Sequence, residues 1–292
     1  MTQTYRESRG AGGESLLTPP EISLVVPLFN ERPEILQESL KSVADQTFGD
    51  FECIVIDEST MPETIAACEA FCSTDARFRH IRPEQRIGLA ASLNLGIELA
   101  RAPFIARFDS DDICLPERLS LQSDFMRNQP DVDVLGGQLE VIDEQGRTLA
   151  FRVHPNSHEE IQRQMHFTTP VAHPTVIIRK RVLEAYGAYD PSFRNAEDLD
   201  LWLRLSNHGV RFANVPHVLV KYRQQTTLRP ARHWRFNLKA RVRNFGVSHW
   251  PRRCAGICAI LIWSIVPRNW QQGITRRLVL SDAQQPLREP QQ

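Results

Sequence analysis

The chain has 292 residues, 41% hydrophobic and 24% charged, the average of an ordinary soluble globule, with no internal repeat and no low-complexity segment. Its formal net charge of zero hides two opposed parts: residues 1–200 carry 19 Lys/Arg against 33 Asp/Glu, and residues 201–292 carry 16 against 2. A split of this kind implies two surfaces with different partners. The six cysteines (53, 68, 72, 114, 254 and 258) form no C-x-x-C, and no His is spaced to complete a zinc site with them. They read as small buried hydrophobes in a reducing compartment, which argues against a disulfide scaffold.

Residues 1–20 are polar and Gly-rich without the apolar stretch of a signal peptide, and read as a disordered leader. "ISLVVPL" (22–28) is a short β-branched run, hence a buried strand. Ile35, Leu36, Leu40 and Val43 then recur at helical spacing. "FECIVID" (51–57) is a second strand, a helix starts at Pro62, and "RFRHIR" (77–82) is a third strand. "GLAASLNLGIELAR" (88–101) is a helix leading into the strand "APFIARFD" (102–109). The alternation implies βαβ units: an α/β fold with a single, mostly parallel Rossmann-like sheet flanked by helices. Beyond Pro116 the pattern predicts an amphipathic helix, strands at 131–143 and 148–153, a strand at 174–180 running into a helix through Tyr186, and a helix at 198–209 closed by Gly209. "VRFANVP" and "HVLVKYR" follow as two strands.

Ligands of open α/β sheets bind beyond the carboxyl ends of the strands. Three polar clusters fall there: Asn30-Glu31, Asp57, and "DSDD" at 109–112. Asp109 and Asp111, two apart in a loop, can both reach one hard cation such as Mg²⁺ or Mn²⁺. A D-x-D alone reads equally well as a polar turn, with Asp111 or Asp112 beginning the next helix. Asp57 is either the acceptor for a base edge or an Asx turn. Asp198 lies at a helix start, where a carboxylate is favoured whether or not it is functional.

The segment "ISLVVPLFNERPEILQESLKSVADQTFGDFECIVIDEST" resembles the opening of the family 2 glycosyltransferases, which have the GT-A fold. "GLAASLNLGIELARAPFIARFDSDD" is similar to that family's middle motif, and "HPTVIIRKRVLEAYGAYDPSFRNAEDLDLWLRL" to its acceptor-side segment. Together they cover residues 21–223, which the resemblance divides into a nucleotide-binding half (21–112) and an acceptor half (113–223). It implies that Pro27, Phe29, Asn30 and Glu31 hold the nucleotide and that Asp57 reads the uracil or its equivalent. Asp109 and Asp111 would surround a divalent cation and the sugar-nucleotide diphosphate. Asp198 would be the general base of an inverting transfer from a UDP-sugar, with Glu197 beside it. His173, in a loop, is a candidate contact to donor or acceptor, and Trp202 a candidate sugar stack; core packing is the competing reading of each. Three departures stand out. The Asp-Asp-Gly-Ser usual after the second strand is Asp57-Glu58-Ser59-Thr60, Leu93 replaces a common Arg with only Asn94 matching nearby, and the Q-x-x-R-W motif of processive synthases is missing, which implies addition of a single sugar.

Residues 224–281 form a separate basic unit before a flexible tail at 282–292. Trp234, Leu238, Val242 and Phe245 share one helical face, and Arg232, Arg235, Lys239 and Arg243 another. "CAGICAILIWSIV" is apolar but too short to span a bilayer. Basic flanks, an apolar patch and tryptophans suit a helix lying in an anionic membrane surface through residues 231–270. That places a peripheral enzyme at the cytoplasmic face, where it meets a saccharide or lipid-linked saccharide acceptor. Packing on the catalytic domain is the competing reading, and nucleic-acid binding is not expected. Two alternatives to a transferase are a haloacid-dehalogenase-like phosphatase, which also carries D-x-D after a strand, and a non-catalytic relative that binds nucleotide-sugars.

Overall fold

A computed structural model describes residues 4–9, 18–224, 231–266 and 270. Its first element, β1 (Tyr5–Arg9), corrects the expectation of a leader disordered throughout: this strand pairs antiparallel with β4 (Phe78–Pro83), and Glu7 accepts a hydrogen bond from Arg79 at 3.0 Å. The tail at 282–292 lies outside the described residues.

Strands β2 (Ile22–Leu28), β3 (Phe51–Asp57) and β5 (Phe104–Arg107) join β4 in a parallel array ordered β4-β3-β2-β5. Helices α1 (Pro33–Ala44), α2 (Pro62–Cys72) and α3 (Leu89–Leu99) connect them. The strands read as continuous apolar runs because both faces are covered. Leu24 and Val26 point into a core shared with Leu36 and Leu40 of α1 and Cys68 of α2, while Val25 points into the other core with Leu93 of α3.

The sheet continues through β9 (Ile177–Arg179), β7 (Val134–Ile142), β10 (Phe212–Arg223) and β6 (Ile113–Cys114), with β8 (Thr148–Arg152) on β7. β9 runs antiparallel to β5 and β7, so the sheet is mixed. The two strands expected from "VRFANVP" and "HVLVKYR" are one: β10 bulges between Asn214 and Val220, around Pro216, which has no N–H to give the ladder. Flanking the sheet are α4 (Arg118–Asn128), α5 (His158–Met165), α6 (Lys180–Tyr186) and α7 (Glu197–Asn207). Sequence periodicity missed α5, whose buried apolar residues are only Ile161 and Met165, and the two-residue β6.

Further along the chain, α8 (Ala231–Arg243) packs on α7, and α9 (Trp250–Ile265) packs on α8. The faces of α8 differ from those expected. Asn237, Ala240, Arg241 and Asn244 are buried, Trp234 and Leu238 are half-buried, and Val242 and Phe245 are exposed. Lys239 sits over the Phe193 ring, and Arg243 pairs with Asp190, so two residues of the expected basic face are engaged by the sheet-bearing part of the fold. Four cysteines are buried as expected, but Cys254 and Cys258 on α9 are exposed.

At the amino ends of the parallel strands, a buried carboxylate ties three of them together. Glu52 accepts from Ser23 Oγ at 2.7 Å, Arg79 Nη1 at 3.1 Å, and Arg101 through its amide at 2.8 Å and Nε at 3.0 Å. Removing one partner of a buried charge network strands the rest. We therefore expect Glu52→Ala to lose about 3–5 kcal/mol in urea denaturation; a loss under about 1 kcal/mol would show that the network is not holding this edge.

Candidate active site

The opposite, carboxyl edge of the sheet collects the polar clusters. After β2 the chain turns through Asn30 in the left-handed region (φ 53°), a conformation Asn tolerates better than most residues. Its amide donates to Ser59 Oγ at 2.9 Å, and its Oδ1 accepts from the amides of Thr60 (2.7 Å) and Met61 (3.1 Å). Asn30 thus joins the loop after β2 to the loop after β3. Phe29 beside it is 42% exposed, with the Arg86 guanidinium 3.7 Å from its ring centroid. Pro27 ends β2 half-buried.

Asp57 does not face this surface. Its side chain is fully buried; Oδ1 accepts from the Ser59 amide at 2.8 Å, and Oδ2 takes His80 Nε2 at 2.9 Å and Arg82 Nη1 at 2.8 Å. Burial works to raise its pKa, but the hydrogen bonds from His80 and Ser59 hold it below the usual carboxylate range. With both oxygens accepting from the protein, Asp57 braces the loop after β3 against β4. Glu58, in the position that departs from the family pattern, accepts from the amides of Ile87 (2.6 Å) and Gly88 (2.8 Å) at the start of α3.

β5 ends in Arg107, and the D-x-D loop follows at once. The buried Arg107 guanidinium grips both oxygens of Asp109 as a fork. Asp111 is pushed up to about 7, by burial first and then by Asp109 and Glu31. Asp112 does not begin a helix. It precedes β6, is fully buried, and accepts the Arg223 amide at 2.8 Å, tying the loop to the end of β10. Burial first, then Asp109 and Asp111, raises its pKa well above normal, and its Oδ2 has no partner among the described residues. Ligand atoms of Asp109, Asp111 and Asp112 all lie within 4.8 Å of one another. Two half-buried carboxylates and a fully buried one with an orphaned oxygen fit a hard divalent cation, and Asp112 is the member that sequence reasoning had set aside.

Across a cleft of about 330 Å³ from Asp109 stand Glu197 and Asp198 at the first turn of α7, with His173 beside them. Ala196, in the left-handed region (φ 57°), turns the chain sharply into that helix. Asp198 Oδ1 accepts the Leu199 amide at 2.7 Å. Glu197 is pushed up to about 7, by burial first and then by Asp198. His173 donates to or accepts from Tyr189 Oη at 2.8 Å and has its Nδ1 4.0 Å from Glu197. Burial, then Arg107, depresses its pKa well below normal, so the ring is neutral. Trp202 does not reach the cleft. It is fully buried, edge-on to His173 at 6.2 Å, which makes it core support for that ring, and the expectation of a sugar stack is withdrawn. Asn94, the residue left near the family's usual Arg, clamps the Tyr189 backbone with its amide, donating to the carbonyl at 2.8 Å and accepting the N–H at 2.9 Å. Cleft residues that motif reading missed include Arg152, Arg194, Asn195, His233 and Asn237. Arg194 and Asn195 directly precede the Glu197–Asp198 pair, and His233 and Asn237 stand four apart on α8, but no spacing in the sequence links these segments to one another or to Arg152.

A mixed α/β sheet with a carboxylate cluster at its carboxyl edge and a second carboxylate pair across a cleft defines the GT-A class of glycosyltransferase. Comparison with known proteins agrees. The family model for glycosyl transferase family 2 matches residues 23–187. The amylovoran biosynthesis glycosyltransferase AmsE of Erwinia amylovora is 32% identical over 202 residues, 69% of this chain and 75% of that one. Among solved structures, residues 1–349 of S. aureus TarS in complex with UDP-GlcNAc superpose with a TM-score of 0.62 at 18% identity, covering 82% and 71% of the two chains. A mannosyltransferase from Pyrobaculum calidifontis in complex with GDP-Man and Mn²⁺ gives 0.60 at 14% identity, covering 90% and 81%. The chain belongs to glycosyltransferase family 2 and is a glycosyltransferase. That finding overturns the phosphatase alternative.

Glu197 carries a pH signature of the fold itself. Its folded pKa of about 7 lies above the 4.5 of an unfolded glutamate, so the native state holds the extra proton between those values. Its contribution to stability is therefore lost as pH rises from 4.5 through 7. Replacing it with Gln removes that loss: the melting temperature of Glu197→Gln should exceed that of wild type at pH 8, with the gap closing toward pH 5. A gap independent of pH would mean that Glu197 titrates normally.

Proposed function

We propose that this protein is an inverting, non-processive glycosyltransferase that moves one sugar from a nucleoside-diphosphate sugar, with UDP-sugars as the first donor class, to a hydroxyl of a saccharide acceptor on a lipid carrier or surface polysaccharide. The observation that carries the reading is the placement of Asp109 and of Asp198 on two walls of one cleft. An inverting transfer needs a base on the face of the sugar opposite the leaving group, and a carboxylate lining the same cleft as the D-x-D loop supports that role for Asp198.

Asp109 and Asp111, with Asp112, would hold Mn²⁺ or Mg²⁺, which supplies Lewis-acid stabilisation of the diphosphate as it leaves. The name of the P. calidifontis neighbour, which includes Mn²⁺, supports a divalent ion. Pro27, Phe29, Asn30 and Glu31 form the nucleotide side, with the Asn30 knot keeping both loops in place before the donor arrives. Asp198, the more exposed of the α7 pair, accepts the proton of the acceptor hydroxyl as its oxygen bonds to the anomeric carbon and the sugar–phosphate bond breaks. Glu197, retaining its proton near neutrality, lets Asp198 ionise without a second negative charge alongside it. Neutral His173, oriented by Tyr189 and backed by Trp202, presents a polar ring edge to the sugar. The polysaccharide role in the name of AmsE supports a saccharide acceptor, met at the cytoplasmic face of the membrane.

A thermal-shift panel of nucleotide-sugars with and without Mn²⁺ identifies the donor. With that donor, Asp198→Asn should lower transfer by on the order of 10²–10⁴-fold while donor-induced stabilisation persists. Asp111→Asn should abolish the Mn²⁺-dependent part of the stabilisation together with transfer. Near-wild-type turnover in Asp198→Asn would remove it as the base, and Mn²⁺-dependent stabilisation surviving in Asp111→Asn would remove the D-x-D metal site.

A further inference from the structure

The α8–α9 pair is fastened to the catalytic domain on one side and bare on the other. Gly256 of α9 lies so close to α5's end that an added Cβ would fall 1.9 Å from the His166 carbonyl oxygen. Arg253 is buried and donates to Asn244 O and Ser248 O at 2.7 Å each and to Asn207 Oδ1 at 2.6 Å. Trp234 of α8 and Trp263 of α9 meet edge to face at 6.0 Å. The pair is therefore seated through specific contacts.

Its outer side is the inverse of an ordinary surface helix. A helix half in water turns charge outward and apolar residues inward. Along α9 the inward row includes Arg253, whereas the outward row from Cys254 to Ile265 contains no charged residue and exposes Leu261, Ile262 (62%) and Ile265 (80%). The turn between the helices adds Phe245, Val247 (89%) and Trp250. Half of the large exposed hydrophobics among the described residues fall between 242 and 270, and a contiguous apolar patch of this kind marks an interaction surface.

Charge selects the occupant. Residues 231–270 contain eight Lys/Arg and no Asp/Glu. Arg241 and Arg253 are buried and Arg243 is paired with Asp190, but Arg235 and Arg252 are exposed with no acidic residue in the segment to balance them; a second copy docked on this face would bring such cations together, whereas an anionic lipid surface supplies counter-charge. Among the described residues no helix is long and apolar enough to cross a membrane, and 16 residues at about 1.5 Å each suit a helix lying in the interface. We propose that the outer face of α8–α9 is a bilayer-docking surface for anionic lipid. Because α8 also places His233 and Asn237 in the wall of the catalytic cleft, docking sets the acceptor side of the cleft beside the lipid headgroups. This last consequence rests on the transferase reading; the docking does not.

The test is flotation of the full chain with vesicles of phosphatidylcholine containing about one-third phosphatidylglycerol, and with phosphatidylcholine alone, scored beside light-scattering mass without lipid. Wild type should float with the anionic vesicles, less with the neutral ones, and be released by high salt. The double variant Ile262→Glu, Ile265→Glu changes only exposed side chains and should keep the wild-type melting temperature. It should lose flotation by about tenfold or more and still release free nucleotide from the donor at the wild-type rate. Absence of wild-type flotation, equal flotation of the variant, or a wild-type dimer that the variant converts to monomer would each overturn the proposal. Loss of donor turnover in Asp198→Asn with flotation intact separates the fate of the docking face from that of the catalytic reading.

Discussion

Three carboxylates, Asp109, Asp111 and Asp112, are held with ligand atoms no more than 4.8 Å apart at the end of a buried strand. Burial first, and then the mutual repulsion of like charges at this spacing, raises the pKa values of Asp111 and Asp112. Much of the surrounding structure serves to hold that arrangement. Arg107 forks onto Asp109 from the last residue of β5, and Arg223 at the end of β10 gives its amide to Asp112 and its Nε to the Asp111 carbonyl at 2.9 Å. The long β10 thus reaches from the far half of the sheet to close the loop.

The acceptor side is built on the same logic of buried polar groups with assigned partners. The chain of contacts runs from Asn94 on α3 to the Tyr189 backbone, from Tyr189 Oη to His173, and from His173 to Trp202 on α7. Each link joins a different part of the chain, so α7 and its first-turn carboxylates are set relative to α3 by these side chains. Glu197 and Asp198 repeat on a small scale the situation of the D-x-D loop: adjacent acids whose proximity drives the more buried one toward its neutral form. Arg107 lies between the two acidic groups and is the buried cation common to both.

The α/β alternation, the parallel array β4-β3-β2-β5 and the position of the D-x-D at a strand's carboxyl end were legible because each rests on local periodicity or on strand order. Less legible were features whose cause is distant in the chain. Asp57 has the sequence context of a ligand contact, but His80 and Arg82, over twenty residues away, turn it into a buried hub. Trp202 has the look of a sugar platform on a helix that begins with two acids, yet the 3.6-residue period of α7 carries it into the core. β1 was invisible because a five-residue polar strand gains its stability from the edge of β4, not from its own composition.

By itself the sequence determined the class of the fold, the family, and the acids that could do the chemistry, since strand runs, helix starts and motif order are all written locally. Tertiary structure decided which of those acids share a space. It brought Asp112 into the cluster, carried Trp202 into the core, tied Asp57 to His80 and Arg82, and set Asp198 in one cleft with Asp109 although 89 residues separate them. It also decided which side of the C-terminal helices faces outward, turning Arg253 in and Ile262 and Ile265 out. The reason is common to all of these: burial and charge pairing depend on what the rest of the chain places alongside a residue, and a linear pattern carries no distance between segments that meet only in the folded sheet.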